Sequence, residues 1–328
     1  MHFFKNLIWD MEKEGHEFLL MVKERENTTI LMDLLGFEYE TFGKTYSGLV
    51  GKGFGILHND FSLLSETRDF APDITASIGG LYSVHAGRIL GVPTIDFTDT
   101  ENAILTNMLT FPCASVVATP SCYRADVPKN KHLSYRGYHE LAYLHPKRFK
   151  PDKKVVHELG LKPNDYIVVR YSSLDARHQS EEAVFTRRDK IDLIRLLNEY
   201  GEVVVDSEHR LPEPIKQYER DIPDHKFHDI LAHSKMYIGE GATTASEAGV
   251  LGVPWIYLSK KTRCYLEDQE LNYQLGAQVH STHDAFFTLR SLLEGEVDVN
   301  FRTAHRNLIK EKIDVTRWMK RLFEHFDR

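Results

Sequence analysis

The residues with the clearest capacity for chemistry lie in the stretch 236–257, where glycines precede a helix-compatible segment. Gly239 and Gly241 follow a short apolar run, and Thr243 and Thr244 begin the segment. The first turn of a helix has free backbone N–H groups and a partial positive charge, so it favours an anion. Glycines let the backbone approach such a ligand, and threonine hydroxyls add donors. The pattern therefore predicts an anion-binding turn.

Glu247, about one helical turn further on, suggests a different contact because a carboxylate repels phosphate. Its oxygens are suited to accept hydrogen bonds from the diol of a ribose. The alternative needs no ligand, since Thr244 and Glu247 have the spacing of a capping box. Glu240, between the glycines, favours phosphates on the helix side of the loop. These residues alone leave a nucleotide site and an ordinary βαβ unit equally open.

A second group of candidates lies in the first half of the chain. Asp99 and Glu101 follow a predicted strand, at the edge of a parallel sheet where ligands usually bind. A carboxylate there can deprotonate a hydroxyl if its pKa lies near the working pH, although acids are also common in a first helical turn for structural reasons. His85 and His58 are weaker base candidates, and the glycine pair at 79–80 predicts a weaker anion-binding turn.

The sequence predicts no metal site and no bound cofactor. The seventeen histidines are scattered. The nearest approach to a cluster, His139, Glu140 and His145, lacks paired ligand spacing on one helix.

Composition limits the function classes. The chain has 328 residues, with 42% apolar and 27% charged, which is typical of a globular protein with room for two domains. A formal net charge of −7 and the lack of a dense basic cluster argue against nucleic-acid binding. No apolar run is long enough to span a bilayer. Three cysteines without C-x-x-C spacing favour the cytoplasm.

Strand and helix patterns alternate along the chain, which predicts an α/β fold with parallel sheets. Predicted strands cover residues 18–22, 37–42, 74–78, 94–97, 114–118, 166–171, 203–206, 236–238 and 255–257. Predicted helices cover residues 3–13, 28–35, 50–69, 82–90, 102–109, 187–200, 227–233 and 243–252. The sequence Leu-Gly-Val-Pro occurs at 90–93 and again at 251–254. This repetition indicates two similar α/β units.

The patterns also predict the domain boundaries. The first domain covers residues 1–137, a linker with two prolines covers 138–151, and the second domain covers 152–312. Residues 172–186 are predicted to form a polar loop. The tail, 313–328, is expected to be a helix that packs on the body of the protein through the side bearing Trp318, Leu322 and Phe326. Contact with a membrane surface is the alternative for this basic and aromatic helix.

Three motifs carry a resemblance to known enzymes. They are Asp-Thr-Glu-Asn-Ala from residue 99, Gly-Tyr-His-Glu-Leu-Ala-Tyr-Leu-His-Pro from residue 137, and the stretch 239–254. With two α/β halves, the chain resembles the GT-B superfamily of nucleotide-sugar enzymes. This superfamily includes glycosyltransferases and UDP-N-acetylglucosamine 2-epimerases. The chain is most similar to a prokaryotic, largely archaeal family of unassigned function within it.

The resemblance implies two Rossmann-like, doubly wound domains that face a cleft, with the nucleotide held mainly by the second. It implies that Arg170 binds a phosphate, that Glu247 binds the ribose and that Phe227 stacks on the base. An arginine after a strand is more often in an ion pair, and a buried aromatic is more often a packing residue. The full nucleotide-binding set implied is Arg170, Gly239, Gly241, Thr243, Thr244, Glu247 and Phe227.

The chain departs from these relatives at its beginning. They start with a strand and a polar loop before the helix that begins here near His2, so the first strand of the N-terminal domain is expected to be absent. Either translation starts upstream of Met1, or the first sheet lacks a central strand and leaves its parallel neighbours unpaired.

Three functions remain open on this basis. The first is a glycosyltransferase that uses a UDP-sugar and activates an acceptor through Asp99, with Glu101 and His85 as the other catalytic candidates. The second is an epimerase or hydrolase of the sugar nucleotide, and the third is a nucleotide-sugar-binding protein without catalysis. The expected partners are a UDP-sugar substrate, a glycan or lipid-linked acceptor, and a second copy in a homodimer.

Overall fold

The computed structural model describes residues 1–23, 26–43, 49–171, 184–207, 211, 213–295 and 299–326. Their contacts divide the chain into two units, which are Met1–Tyr143 together with Ile313–Arg328, and Leu144–Lys312. Most of the predicted polar loop, residues 172–183, lies outside the described residues.

The first unit alternates helices and strands as the sequence predicts. Its elements are α1 (His2–Glu12), β1 (Met21–Lys23), α2 (Glu26–Leu35), β2 (Glu40–Phe42), α3 (Leu49–Phe70), β3 (Thr75–Ile78), α4 (Leu81–Leu90), β4 (Thr94–Phe97), α5 (Ile104–Thr110), β5 (Val116–Pro120) and β6 (His132–Tyr135). A short 3₁₀ helix, His139–Ala142, follows β6. Strand β6 is absent from the sequence prediction because its first three residues are exposed and show no apolar run.

The strands of the first unit form two parallel sheets instead of one. Strands β1 and β2 pair with each other, and the other sheet has the order β3-β4-β5-β6. Among the described strands β3 pairs only with β4, so it is an edge strand, and its residues are less buried than those of β4. The chain enters α1 at His2 with no preceding strand among the described residues.

The second unit is built on one five-stranded parallel sheet. Its elements are α6 (Lys153–Glu158), β7 (Tyr166–Tyr171), α7 (Arg187–Leu197), β8 (Glu202–Ser207), α8 (Phe227–Ala232), β9 (Met236–Gly239), α9 (Ala242–Leu251), β10 (Trp255–Leu258), α10 (Cys264–Tyr273), β11 (Gly276–Val279), α11 (Thr282–Leu293) and α12 (Phe301–Glu311). The strand order is β11-β10-β9-β7-β8. Every residue of β9 and β10 is buried, as expected for central parallel strands.

The last helix, α13 (Val315–Phe326), returns to the first unit and packs against α1. Its buried side differs from the predicted Trp318, Leu322 and Phe326, which are only half-buried. Trp318 contacts the ring of Tyr135. The buried residues of α13 are Val315, Thr316, Met319 and Phe323.

The segment predicted to be a linker begins inside the first unit. Residues 138–145 are buried. The carbonyl of Ala142 explains this position, because it accepts hydrogen bonds from Asn6 Nδ2 of α1 at 2.8 Å and from Thr316 Oγ1 of α13 at 2.6 Å. Both helices are thereby tied to the same turn. Among the described residues, no helix combines the length and the apolar composition needed to cross a membrane.

The glycine pair before α4 is hydrogen-bonded to a carboxylate of the protein itself. Asp96, in the middle of β4, is fully buried, and its Oδ1 accepts a hydrogen bond from the N–H of Gly80 at 3.3 Å. The predicted second anion-binding turn is therefore occupied by an internal acid. Burial raises the pKa of Asp96 to about 6, although N–H groups of Gly80 and Gly79 oppose the shift.

We expect Asp96→Asn to stabilise the protein at neutral pH. The folded state holds the Asp96 proton more tightly than the unfolded state, where the pKa is 3.8. The unfolding free energy of the wild type should therefore fall as pH rises from about 4 to about 6. The asparagine oxygen can still accept from Gly80, so the variant should gain roughly 2–3 kcal/mol at pH 8 and almost nothing at pH 4.

Urea unfolding at both pH values measures this difference, with the exposed Asp126→Asn as the matched control. A gain that is equal at both pH values would contradict a role for the buried charge.

Candidate functional site

The strand order of the second unit locates its candidate site. The order reverses between β7 and β9, and in parallel α/β sheets ligands usually bind at the carboxyl ends of strands beside such a switch point. Arg170 pairs with Gly239 in the register of these two strands. Arg170 and the turn that leads into α9 therefore lie at the same edge of the sheet.

The N-terminus of α9 is open to a ligand. The helix begins at Ala242 with Gly241 as its N-cap, and no side chain among the described residues caps it. Thr243 is exposed at this end. The capping-box alternative does not hold, because the helix begins earlier than the box requires and both Thr244 and Glu247 lie inside it, buried.

Arg170 is held by three contacts at this edge. Its Nε lies 3.1 Å from Asp206 Oδ2, and its Nη1 donates to Thr244 Oγ1 at 3.5 Å. Its guanidinium lies 5.0 Å from the ring centre of Phe227. These contacts fix the guanidinium, while 32% of the side chain remains exposed. A fixed, partly exposed arginine beside a helix N-terminus is suited to bind a phosphate group.

Phe227 lies beneath this arginine instead of forming an open platform. Only 6% of the residue is exposed, and the guanidinium covers one face of its ring. Its place in the structure thus corresponds to the packing alternative, and base stacking by Phe227 remains a prediction.

The two glycines of the turn differ in their surroundings. A Cβ on Gly239 would lie 2.4 Å from the hydroxyl of Tyr237 and 2.5 Å from the carbonyl of Arg170, so the strand pairing itself requires a glycine. A Cβ on Gly241 would lie 3.3 Å from that hydroxyl, which is tight but less severe. The first glycine therefore serves the fold, and the second forms the helix N-cap.

Glu240, between these glycines, does not leave an unbalanced negative charge in the turn. Its Oε1 lies 2.7 Å from Lys190 Nζ of α7, and the two side chains are 8% and 2% exposed. The ammonium of Lys190 also lies 4.8 Å from the ring centre of Tyr171. The carboxylate is thus engaged by α7, which reduces its repulsion of an anion at α9.

Glu247 has a partner that the sequence did not indicate. His228 of α8 places its Nε2 2.9 Å from Glu247 Oε1, and both side chains are buried. Glu247 is located one turn after Thr244 on α9, so a carboxylate, a hydroxyl and the arginine are held close together.

In the first unit, Asp99 is paired with His139, whose Nδ1 lies 3.1 Å from Asp99 Oδ2. Burial alone would raise the pKa of Asp99, but the charge and hydrogen bond of His139 lower it overall. Burial would likewise lower the pKa of His139, but Asp99 raises it overall. The pairing therefore favours the ionised forms of both side chains, and Asp99 is a weaker base than an isolated buried acid.

The other catalytic candidates are held elsewhere. Glu101 Oε1 accepts a hydrogen bond from the N–H of Arg124 at 2.7 Å. His85 Nδ1 lies 3.0 Å from Asp60 Oδ2, in a contact between α4 and α3. Asp99, Glu101 and His85 thus each have a different partner, and their catalytic roles remain predictions.

No group of three or more histidine, cysteine, aspartate or glutamate side chains within the described ranges has the arrangement of a metal site. His139, Glu140 and His145 are all buried. His139 instead binds Asp99.

Sequence comparison identifies the family. The model for a family described as a protein of unknown function, DUF354, matches residues 1–274. The chain belongs to this family. It is also similar to the uncharacterized protein MJ0665 of Methanocaldococcus jannaschii, with 24% identity over 269 residues, which cover 78% of this chain and 77% of that protein.

Comparison with solved structures confirms the GT-B fold. The UDP-GlcNAc 2-epimerase of Methanocaldococcus jannaschii, in complex with UDP-GlcNAc and UDP, is similar with a TM-score of 0.64 and 13% identity, covering 94% of this chain and 95% of that chain. Spinosyn forosaminyltransferase SpnP is similar with a TM-score of 0.62 and 14% identity, covering 99% and 95%. At these identities the likeness shows the shared fold.

We expect Asp99→Asn to lower the pKa of His139, because burial then acts without the opposing carboxylate. The decrease is measured by NMR titration of the imidazole signals. His305, which binds the carbonyl of Val250 in the second unit, is the internal control and should titrate unchanged. An unchanged His139 titration would show that the two side chains do not form this pair in solution.

Proposed function

We propose that this protein is a glycosyltransferase that uses a UDP-sugar, with the nucleotide bound at the N-terminus of α9. The observation that carries the proposal is the convergence of Arg170, Thr244 and Glu247 at the switch point of the second sheet. The fold shared with sugar-nucleotide enzymes supports it.

The diphosphate and the ribose of a nucleotide would each meet suitable groups in this arrangement. The diphosphate would bind the first-turn N–H groups of α9, the hydroxyl of Thr243 and the guanidinium of Arg170. The carboxylate of Glu247 would accept hydrogen bonds from the ribose diol. Uridine is proposed from the resemblance to UDP-sugar enzymes.

The same groups would assist transfer of the sugar. An acceptor hydroxyl attacks the anomeric carbon, the bond from that carbon to the diphosphate oxygen breaks, and UDP leaves. Arg170 and the N-terminus of α9 would stabilise the negative charge that develops on the leaving group. Asp99 would take the acceptor proton while His139 holds its carboxylate in place.

The second candidate function is epimerisation of the sugar nucleotide. It is favoured by the structural likeness to UDP-GlcNAc 2-epimerases, which include the enzyme of Rickettsia bellii with a TM-score of 0.68 and 12% identity, covering 99% of this chain and 94% of that chain. This function uses the same nucleotide site and differs in needing no acceptor.

The nucleotide site is tested by calorimetric titration with UDP, ADP, GDP and inorganic phosphate. We expect UDP to bind the wild type, and Glu247→Ala to weaken UDP binding about 10- to 100-fold because charge-assisted hydrogen bonds to the ribose are lost. The affinity for inorganic phosphate should be the same in the wild type and in Glu247→Ala. The matched control is Glu213→Ala, which removes an exposed carboxylate of the same unit.

Two results would count against this site. Equal UDP affinity in the wild type and Glu247→Ala would exclude the ribose contact. An equal loss of UDP affinity in the Glu213→Ala control would show that the effect of Glu247→Ala is not specific to the α9 site.

The reaction class is tested by incubating the protein with UDP-GlcNAc, with and without alkyl glycosides as acceptors, and following the sugars by proton NMR. A transferase should release UDP and form a new glycoside only when an acceptor is present. Conversion of the sugar without an acceptor would instead establish the epimerase, and binding without any conversion would contradict both.

A further inference from the structure

A buried pair of ionisable side chains lies immediately behind the proposed nucleotide site. His228 Nε2 lies 2.9 Å from Glu247 Oε1, and the two side chains are only 7% and 8% exposed. They come from adjacent helices, α8 and α9.

Stability alone does not explain this pair. Removing two polar groups from water costs about as much as their attraction returns, and apolar residues of similar volume often stabilise a core at least as well. The positions are also densely surrounded, since the His228 ring makes edge contacts with Phe149 and Phe227, with centroids 6.1 Å and 6.2 Å away. The packing thus fixes the direction in which the imidazole nitrogen points.

The pair closes a ring of contacts around the site. Arg170 binds Thr244 and lies over Phe227, which precedes His228 in the chain. His228 binds Glu247, which follows Thr244 by three residues on the same face of α9. The phosphate-binding and ribose-binding groups are therefore mutually oriented through α8.

We propose that His228 is a positioning residue that holds the Glu247 carboxylate in the orientation needed to bind both hydroxyls of a ribose. This inference rests on the proposed nucleotide site. A carboxylate whose plane is already fixed accepts hydrogen bonds from both hydroxyls of a vicinal diol without a further loss of side-chain entropy, whereas a mobile carboxylate loses part of the gain from the second hydroxyl. His228 thereby gives the site its selectivity for ribonucleotides over 2′-deoxyribonucleotides.

The experiment compares the affinities of UDP and 2′-deoxy-UDP for the full chain by calorimetry. The wild type should prefer UDP by about tenfold or more, since the deoxy ligand lacks one hydrogen bond to a charged group. His228→Leu removes the donor while filling much of the space, and should reduce this preference to about twofold. His228→Gln keeps an N–H donor and should retain most of the preference.

Two controls separate positioning from packing. His225→Leu changes an exposed histidine of the short helix before α8 and should leave the preference unchanged. Urea unfolding of each variant reports stability independently. If His228→Leu does not fold, His228→Asn replaces it, because its shorter amide does not reach Glu247 and the preference should be lost equally.

The outcomes distinguish this inference from the proposed function. UDP binding to the wild type with an unchanged preference in His228→Leu or His228→Asn would overturn the positioning role and leave the nucleotide site standing. Failure of the wild type to bind UDP would overturn the proposed function and, with it, the inference. A drop in stability without a change in preference would assign His228 to packing alone.

Discussion

The candidate site depends on the close parallel pairing of β7 and β9. This pairing sets Arg170 opposite Gly239, and it is possible because Gly239 has no Cβ to meet the Arg170 carbonyl and the Tyr237 hydroxyl. Once the strands are in this register, the chain must turn at Gly241 and begin α9 beside the arginine. The proposed phosphate-binding residue Arg170 and a helix N-terminus therefore meet through backbone geometry, with no long side chain required to bring them together.

The charges around this turn are distributed so that an anion is not repelled. Glu240 is paired with Lys190 and Glu247 lies beside His228. Asp206 contacts Arg170 but leaves that side chain partly exposed. Each acid is thus balanced or tied by a neighbour, and the first turn of α9 has no capping side chain among the described residues. This arrangement makes the proposed anion site compatible with a net charge of −7 for the whole chain.

Much of this framework could be predicted from the sequence, because strand and helix periods are local signals. Strand β7 and the glycine that ends α9 are both at their predicted positions. An ion pair for Arg170 was the alternative that the sequence offered, and its partner Asp206 lies near the end of the neighbouring strand. The His228–Glu247 contact could not be predicted from the sequence, because it depends on how α8 packs beside α9. The start of α9 was misplaced because Gly241, which has no side-chain signal for capping, serves as the N-cap.

Two carboxylates around the end of β4 show how the environment divides chemical roles among similar residues. Asp96 is buried beneath the turn at Gly80 without a cation, and its pKa is raised to about 6. Asp99 is buried against His139, and its pKa is lowered. Asp96 therefore has the pKa closer to neutral, yet its contact with Gly80 gives it a structural role inside the sheet. The histidine that weakens the Asp99 carboxylate as a base also fixes its position, so the proposed role of Asp99 in taking a proton combines a lower basicity with a fixed orientation.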